Sequence, residues 1–378
     1  MTELSDAVAK AEAAADDRFT KIEATQAEQG RILSDQAGEI EDLWAAVKAL
    51  GNGGGTEPVP PDPAPVTARL DLAVGPVIFP NQKMGQYIKD NWFATAARIA
   101  WHPTSLSGVG TEADVYARVE ELTGLGMIAL SNWHAVGYDA TRNAGEGTAM
   151  DAYHGRLLER YKGNPLLAFD TGEYGQNNAQ ELVGGKWQVN KTYGDAYVNF
   201  MRARIGYLND RGATQPVCIS SLYWANDVMR TTGYGNITNQ PLEELSSILV
   251  FGPRIQQGFD NVWFTVHPYD TWSGIAFTFE EFLTKAKAAG LKICVTETGM
   301  FNGNPPRDCR PGQRKVFNAL RNGWNAGVFG WHASALDVND FTAPDKGMTI
   351  DYVNGQPSNL TEQGRLFMER AQAVAKMS

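Results

Sequence analysis

Two acids close apolar runs in this chain: Glu173 ends PLLAFDTGE (165–173) and Glu297 ends LKICVTE (291–297). A charge at the end of an apolar strand is costly to bury unpaired, so it is either held by a partner or put to use. Two carboxylates facing each other across a cleft can divide a bond cleavage between them. One protonates the leaving oxygen while the other meets the carbon being left, the pairing that glycosidic cleavage requires. Other chemistry-bearing residues stand at comparable positions: Arg98 in ARIAW, Trp133 and His134 in SNWH, His267 and Tyr269 in VHPY, and Trp331 in GVFGWH. The plain alternative for either acid is an ion pair with Arg98.

Further aromatic residues, Trp101, Tyr174, Trp224 and Trp272, are candidates for stacking on the flat face of a sugar, with ordinary packing as the alternative. Trp133 and Trp331 are the better placed, since their strand-end positions point to a shared mouth. His102, His154 and His332 show no metal-ligand spacing and read as structural or supporting residues. Cys218, Cys294 and Cys309 lack a CxxC pair and read as two buried strand thiols and one loop thiol. Neither a metal nor a cofactor is expected.

These side chains need a frame that brings distant segments to one face. From residue 68 onward, short β-branched or aromatic runs alternate with helical stretches: RLDLAV, ATAARIAW, GMIALSNW, PLLAFDTG, PVCISSLYW, NVWFTVH, LKICVTE and GVFGWH. Helices are expected over EADVYARVEELTGLG, TAMDAYHGRLLERY, TFEEFLTKAKAAG and TEQGRLFMERAQAVAKM. Eight βα units over 68–378 predict an α/β fold, a (β/α)8 TIM barrel, whose chemistry sits at the C-terminal ends of the strands. A doubly wound sheet is disfavoured because the first strand lacks a GxGxxG turn.

Residues 1–50 follow a different rule. Ala15, Phe19, Ile22, Gln26, Gln29, Leu33, Gln36, Ile40, Leu43, Val47 and Leu50 step alternately by four and three, a heptad seam that predicts an N-terminal coiled-coil stalk. A single amphipathic surface helix is the alternative. Glutamines in the seam fix register at a cost in stability, and the spacing leaves dimer and trimer open, with a trimer favoured. Residues 51–67, GNGGGTEPVPPDPAPVT, read as a Gly/Pro-rich linker. The formal charge of −10 argues against nucleic acid as a partner. There is no run long and apolar enough for membrane insertion and no signal-peptide pattern, so synthesis in a cytoplasm is expected.

Taken in order, ARIAWH, GMIALSNWH, RYKGNPLLAFDTGEY, VHPY, LKICVTETG and GVFGWH resemble the strand-end motifs of clan A glycoside hydrolases, most nearly the cellulase-like family five. The resemblance spans roughly residues 68–375, and it rests on the ordered set rather than on any one motif. It implies a retaining endo-β-glycosidase acting on a polysaccharide. Glu173 would be the general acid/base and Glu297 the nucleophile, with Arg98 and His134 orienting the carboxylates. His267 and Tyr269 would stand beside the two acids, and Trp331 would be the sugar platform. One position departs from the pattern. The family's Asn-Glu-Pro is here Gly172-Glu173-Tyr174, which removes an amide that binds the sugar 2-hydroxyl. Loss of about 3 kcal/mol of transition-state binding slows a reaction roughly a hundredfold. Thr171 or Asn132 can replace the contact, the substrate can lack a free 2-hydroxyl, or the barrel can be a carbohydrate-binding decoration rather than an enzyme. A stalk, a hinge and a carbohydrate-active barrel together suggest an oligomeric virion fibre, spike or head decoration, displayed on the virion surface and released by lysis.

Overall fold

The computed structural model describes residues 68–377, apart from 105, 107, 139–143, 175–179, 185, 229–239, 300, 303–306, 331–348 and 354–355. The chain divides into two units, residues 1–64 and Pro65–Ser378, and every described residue belongs to the second. The expected stalk and linker lie outside the described residues.

Eight parallel strands close into a barrel in sequence order: β1 (Val74–Ile78), β2 (Ala96–Trp101), β3 (Ile128–Trp133), β4 (Leu167–Asp170), β5 (Val217–Ser220), β6 (Val262–Thr265), β7 (Ile293–Thr298) and β8 (Gly327–Gly330). Val74 pairs with Val328 and so seals β1 to β8. Among the described residues, eight helices of two turns or more accompany them: α1 (Gly85–Trp92), α2 (Glu112–Gly124), α3 (Ala144–Arg160), α4 (Lys191–Asn209), α5 (Ser247–Gln256), α6 (Phe279–Ala288), α7 (Arg310–Arg321) and α8 (Glu362–Ala375). Hydroxyl caps start several of them. Thr111, Thr278 and Thr361 each accept a backbone N–H from the first helical turn, satisfying donors that the helix itself leaves unpaired.

Seven of the eight expected strands stand where the sequence places them. The first does not: in RLDLAV, Leu70–Leu72 form a 3-10 turn and β1 begins only at Val74. Leu70 still buries and closes the barrel floor while Leu72 is half-buried, so apolar content alone misplaced the strand start.

Strand alternation sorts the core into two. Ala96 and Ala100, Ile128 and Leu130, Ala168, Cys218, Cys294 and Phe329 fill the barrel interior. Ala97, Ile99 and Trp101, Ala129 and Trp133, Leu167 and Phe169, and Val217 and Ile219 point outward into the layer shared with the helices. The thiols of Cys218 and Cys294 are buried on strands, and Cys309 is a buried loop thiol at the N-cap of α7.

Candidate active site

The parity of the strands decides which strand-end residues meet. Arg98 shares the inward face of β2 with Ala96 and Ala100, and Asn132 and His134 continue the inward face of β3. On β7 the pairing with β8 slips between Val295 and Thr298. Such irregularities re-aim side chains, and here Thr296 reaches His267 while its neighbour Glu297 reaches Arg98.

Glu297 is held at both oxygens. Arg98 Nη1 donates to its Oε2 at 3.0 Å and the Tyr269 hydroxyl donates to its Oε1 at 2.8 Å. His267 Nδ1 lies 4.0 Å from the same Oε2, and its Nε2 is 3.0 Å from Thr296 Oγ1. Glu297 as a residue remains 7% exposed, whereas Arg98 is wholly buried. The other edge of the guanidinium is taken by a residue the sequence reading passed over: Arg98 Nε donates to Asp170 Oδ2 at 2.8 Å. Asp170 ends β4 on the inward face and has no exposed surface. Its signal was present in LLAFD, where an acid follows Ala168 by two and must therefore face the barrel axis.

Burial governs the titration of these groups. It pushes the His134 imidazole down to about 3, with Arg98 and His102 adding to the shift. Burial, again reinforced by Arg98, holds His267 well below its ordinary value. Both rings are therefore neutral at ordinary pH, and His134 Nδ1 sits 3.0 Å from Asn132 Oδ1. The Asp170 carboxyl is raised by burial, an effect opposed by Arg98, the Gly172 N–H and Asn132.

Gly172 has a structural reason. Its φ is +84°, in the left-handed region, and a Cβ there would fall onto the Trp133 carbonyl oxygen. Its N–H donates to Asp170 Oδ1 at 3.1 Å, which tightens the turn out of β4. Immediately beyond it, Glu173–Tyr174 pairs in parallel with Val136–Tyr138, so the backbone of Glu173 leaves the barrel at the C-terminal end of β4. Only the backbones of Glu173 and Tyr174 are described. The two residues that could stand in for the missing amide both lie in the barrel interior. Thr171 is buried with Oγ1 accepting from Ser220 N at 3.0 Å, and Asn132 is buried behind His134.

The aromatic candidates divide sharply. Trp133 is packed outside the barrel wall, edge-on to Trp101 and His102, and its indole donates to Glu146 at 2.5 Å. Trp101 lies against Trp133 and Tyr153 and donates to the Gly110 carbonyl. Trp272 is fully buried between Phe279 and Phe282. These three are core residues, contrary to expectation, because they fall on outward or helical faces. His102 and His154 have the structural roles expected of them, the first against Glu146 and the second edge-on to Phe169. Trp331 and His332 lie outside the described residues.

Trp224 is the exception, 40% exposed just beyond β5. Tyr223, Trp224 and Ala225 all have φ between +55° and +59°. Each such residue costs about 1–3 kcal/mol and persists only where its surroundings over-determine it. Here the Ala225 carbonyl accepts His267 N–H at 2.6 Å, and the Asn226 carbonyl accepts the Trp272 indole at 2.9 Å. The Asp227 carboxylate accepts the Ser246 and Ser247 hydroxyls and the Ile248 N–H. The turn is fixed on both sides and presents one indole outward.

Residues 75–337 match the sequence profile of the cellulase family, glycosyl hydrolase family 5. Curated proteins give no significant match. Among solved structures, the β-mannanase of Thermomonospora fusca in complex with mannohexaose is 16% identical with a TM-score of 0.55, covering 81% of this chain and 91% of that one. The β-mannanase of Streptomyces thermolilacinus is 14% identical with a TM-score of 0.56, covering 81% and 91%. A cellulase is 12% identical with a TM-score of 0.53, covering 79% and 86%. At such identities the likeness is one of fold.

Proposed function

The chain belongs to glycosyl hydrolase family 5, and from that premise we propose that it is a retaining endo-β-glycosidase with Glu297 as nucleophile and Glu173 as general acid/base. The observation that carries the reading is the setting of Glu297, whose two oxygens are held by Arg98 and Tyr269 at the C-terminal end of β7. A carboxylate so held keeps one oriented lone pair for attack and gains from a nearby cation. Glu297 attacks the anomeric carbon while Glu173 protonates the departing oxygen, and Glu173 then takes a proton from the water that releases the sugar. Trp224 and Trp331 supply stacking surface. The substrate we propose is a β-linked hexose polysaccharide, with mannans and glucans the first to test, in keeping with the mannanases and the cellulase that share the fold.

Release of reducing sugar from mannans, β-glucans, xylans and bacterial envelope polysaccharide tests the reading with wild type, Glu173→Gln and Glu297→Gln. Wild type should release sugar from at least one, and each variant should lose about a thousandfold or more. Binding without release, equal in all three proteins, would make the barrel a carbohydrate-binding module instead.

For residues 1–50 we propose an oligomeric stalk, displayed on a virion, which joins several barrels and multiplies weak sugar contacts. Deleting 1–50 should give a soluble monomer by sedimentation; an unchanged oligomer would remove the stalk from the reading.

A further inference from the structure

We propose that Asp170 is a positioning and charge-balancing residue for Glu297, acting through the one guanidinium that both carboxylates share. Arg98 Nε donates to Asp170 at 2.8 Å and Arg98 Nη1 to Glu297 at 3.0 Å, and Arg98 and Asp170 are wholly buried. Held by one edge, the planar fork has little freedom left at the other, so Asp170 fixes the place from which Nη1 meets Glu297. The same carboxylate takes the Gly172 N–H on its second oxygen, at the turn that leads to Glu173. One side chain thus ties together the strand ends that carry the two acids.

The charge argument rests on the hydrolase reading above. When a carboxylate oxygen of Glu297 bonds to the anomeric carbon, the bond from that carbon to the leaving oxygen breaks. The leaving oxygen takes the proton of Glu173. Glu297 passes from an anion to a neutral ester and Glu173 from a neutral acid to an anion. Total charge is conserved, but it has moved away from Arg98. A buried cation that loses a counter-charge is disfavoured. Asp170 keeps its ion pair with Arg98 on both sides of that step, so the guanidinium still faces an anion in the glycosyl-enzyme.

Among the described residues, several titratable groups face this pair, with His102 acting on it through His134. His134 from β3 and His267 from the end of β6 stay neutral through burial. Cys218 on β5 and Cys294 on β7 stay protonated for the same reason. Tyr269 meets Glu297 directly, and Glu173 follows on the Asp170 segment itself. A pH response centred on Glu297 therefore reports on carboxylates and Arg98, not on the imidazoles.

The test is Asp170→Asn, which keeps the shape and removes the charge. With Asp170 neutral, Arg98 acts on Glu297 undiluted, so the Glu297 carboxyl should titrate about one pH unit lower by carbon-13 NMR, assigned by difference against Glu297→Gln. The acid limb of kcat/KM should move down with it. On an aryl glycoside with a good leaving group, sugar transfer to the enzyme should slow about a hundredfold, with KM within about twofold, and any burst of aglycone should vanish. A purely structural Asp170 would lower the melting temperature and leave the Glu297 midpoint in place, which would overturn the proposal. The NMR arm needs no turnover. An inactive wild type would sink the hydrolase reading while the midpoint still decides whether Asp170 acts on Glu297. Should Asp170→Asn fail to fold, Arg98→Gln/Asp170→Asn replaces both buried charges by neutral groups. Its Glu297 midpoint should lie above that of wild type, and a midpoint at or below wild type would overturn the proposal.

Discussion

At the scale of single residues, Gly172 changes meaning once the backbone is seen. In sequence it is an amide missing from a family motif; in space it is a left-handed turn pressed against the Trp133 carbonyl. Any side chain at 172 would have to displace the wall between β3 and β4. Restoring the family residue by Gly172→Asn should therefore not restore activity. Asparagine tolerates positive φ better than most residues, but its Cβ meets the same oxygen as that of alanine. Both Gly172→Asn and Gly172→Ala should lose about 3 kcal/mol or more in urea unfolding, with sugar release falling in proportion to the folded fraction. Wild-type stability in Gly172→Asn would show that the β4 turn has room, and would reopen the question of the lost amide.

At the scale of elements, what was legible in the sequence was the order of strands and helices and the identity of the polar inward residues. Arg98, His134, His267 and Tyr269 converge with Glu297 at one end of the barrel. The aromatic residues failed for a definite reason. A strand end has two faces, and Trp133 stands between inward Asn132 and inward His134, so a strand that delivers the histidine must turn the tryptophan outward. Trp101 follows inward Ala100 by one and fails in the same way. The same parity exposes Asp170, two residues beyond inward Ala168. Two features lay beyond parity altogether. The slip on β7 aims Glu297, and the left-handed turn after β5 exposes Trp224. Both depend on neighbouring strands and on Asp227 and His267, which local sequence pattern does not encode.

At the scale of the whole molecule, the buried titratable groups set an acid response in two stages. His134 and His154 are lowered to about 3 and His267 well below its ordinary value, chiefly by burial. Their unfolded counterparts take up protons near pH 6.5, so each removes up to about 1.4 kcal/mol of stability per pH unit as the pH falls below that point. Asp151 and Asp227 run the other way. Burial raises both to about 6, and it raises Asp170 as well. A native carboxyl that binds its proton before the unfolded one, near pH 3.9, stabilises the fold as the pH falls through that window. The two sets oppose each other between about pH 6 and pH 4, and urea midpoints should change little there. Below about pH 4 the aspartates are protonated in both states, while the histidines remain neutral only in the native one, and the ion-paired Glu112 and Glu362, both held below their ordinary values, begin to lose their partners. Stability should then fall steeply. Asp227→Asn removes one counterweight, so its urea midpoint should decline already between pH 6 and pH 4, where that of wild type stays level. Parallel curves for the two proteins would mean that Asp227 titrates alike in the folded and unfolded chain, and that its hydrogen bonds to Ser246, Ser247 and Ile248 offset its burial in full.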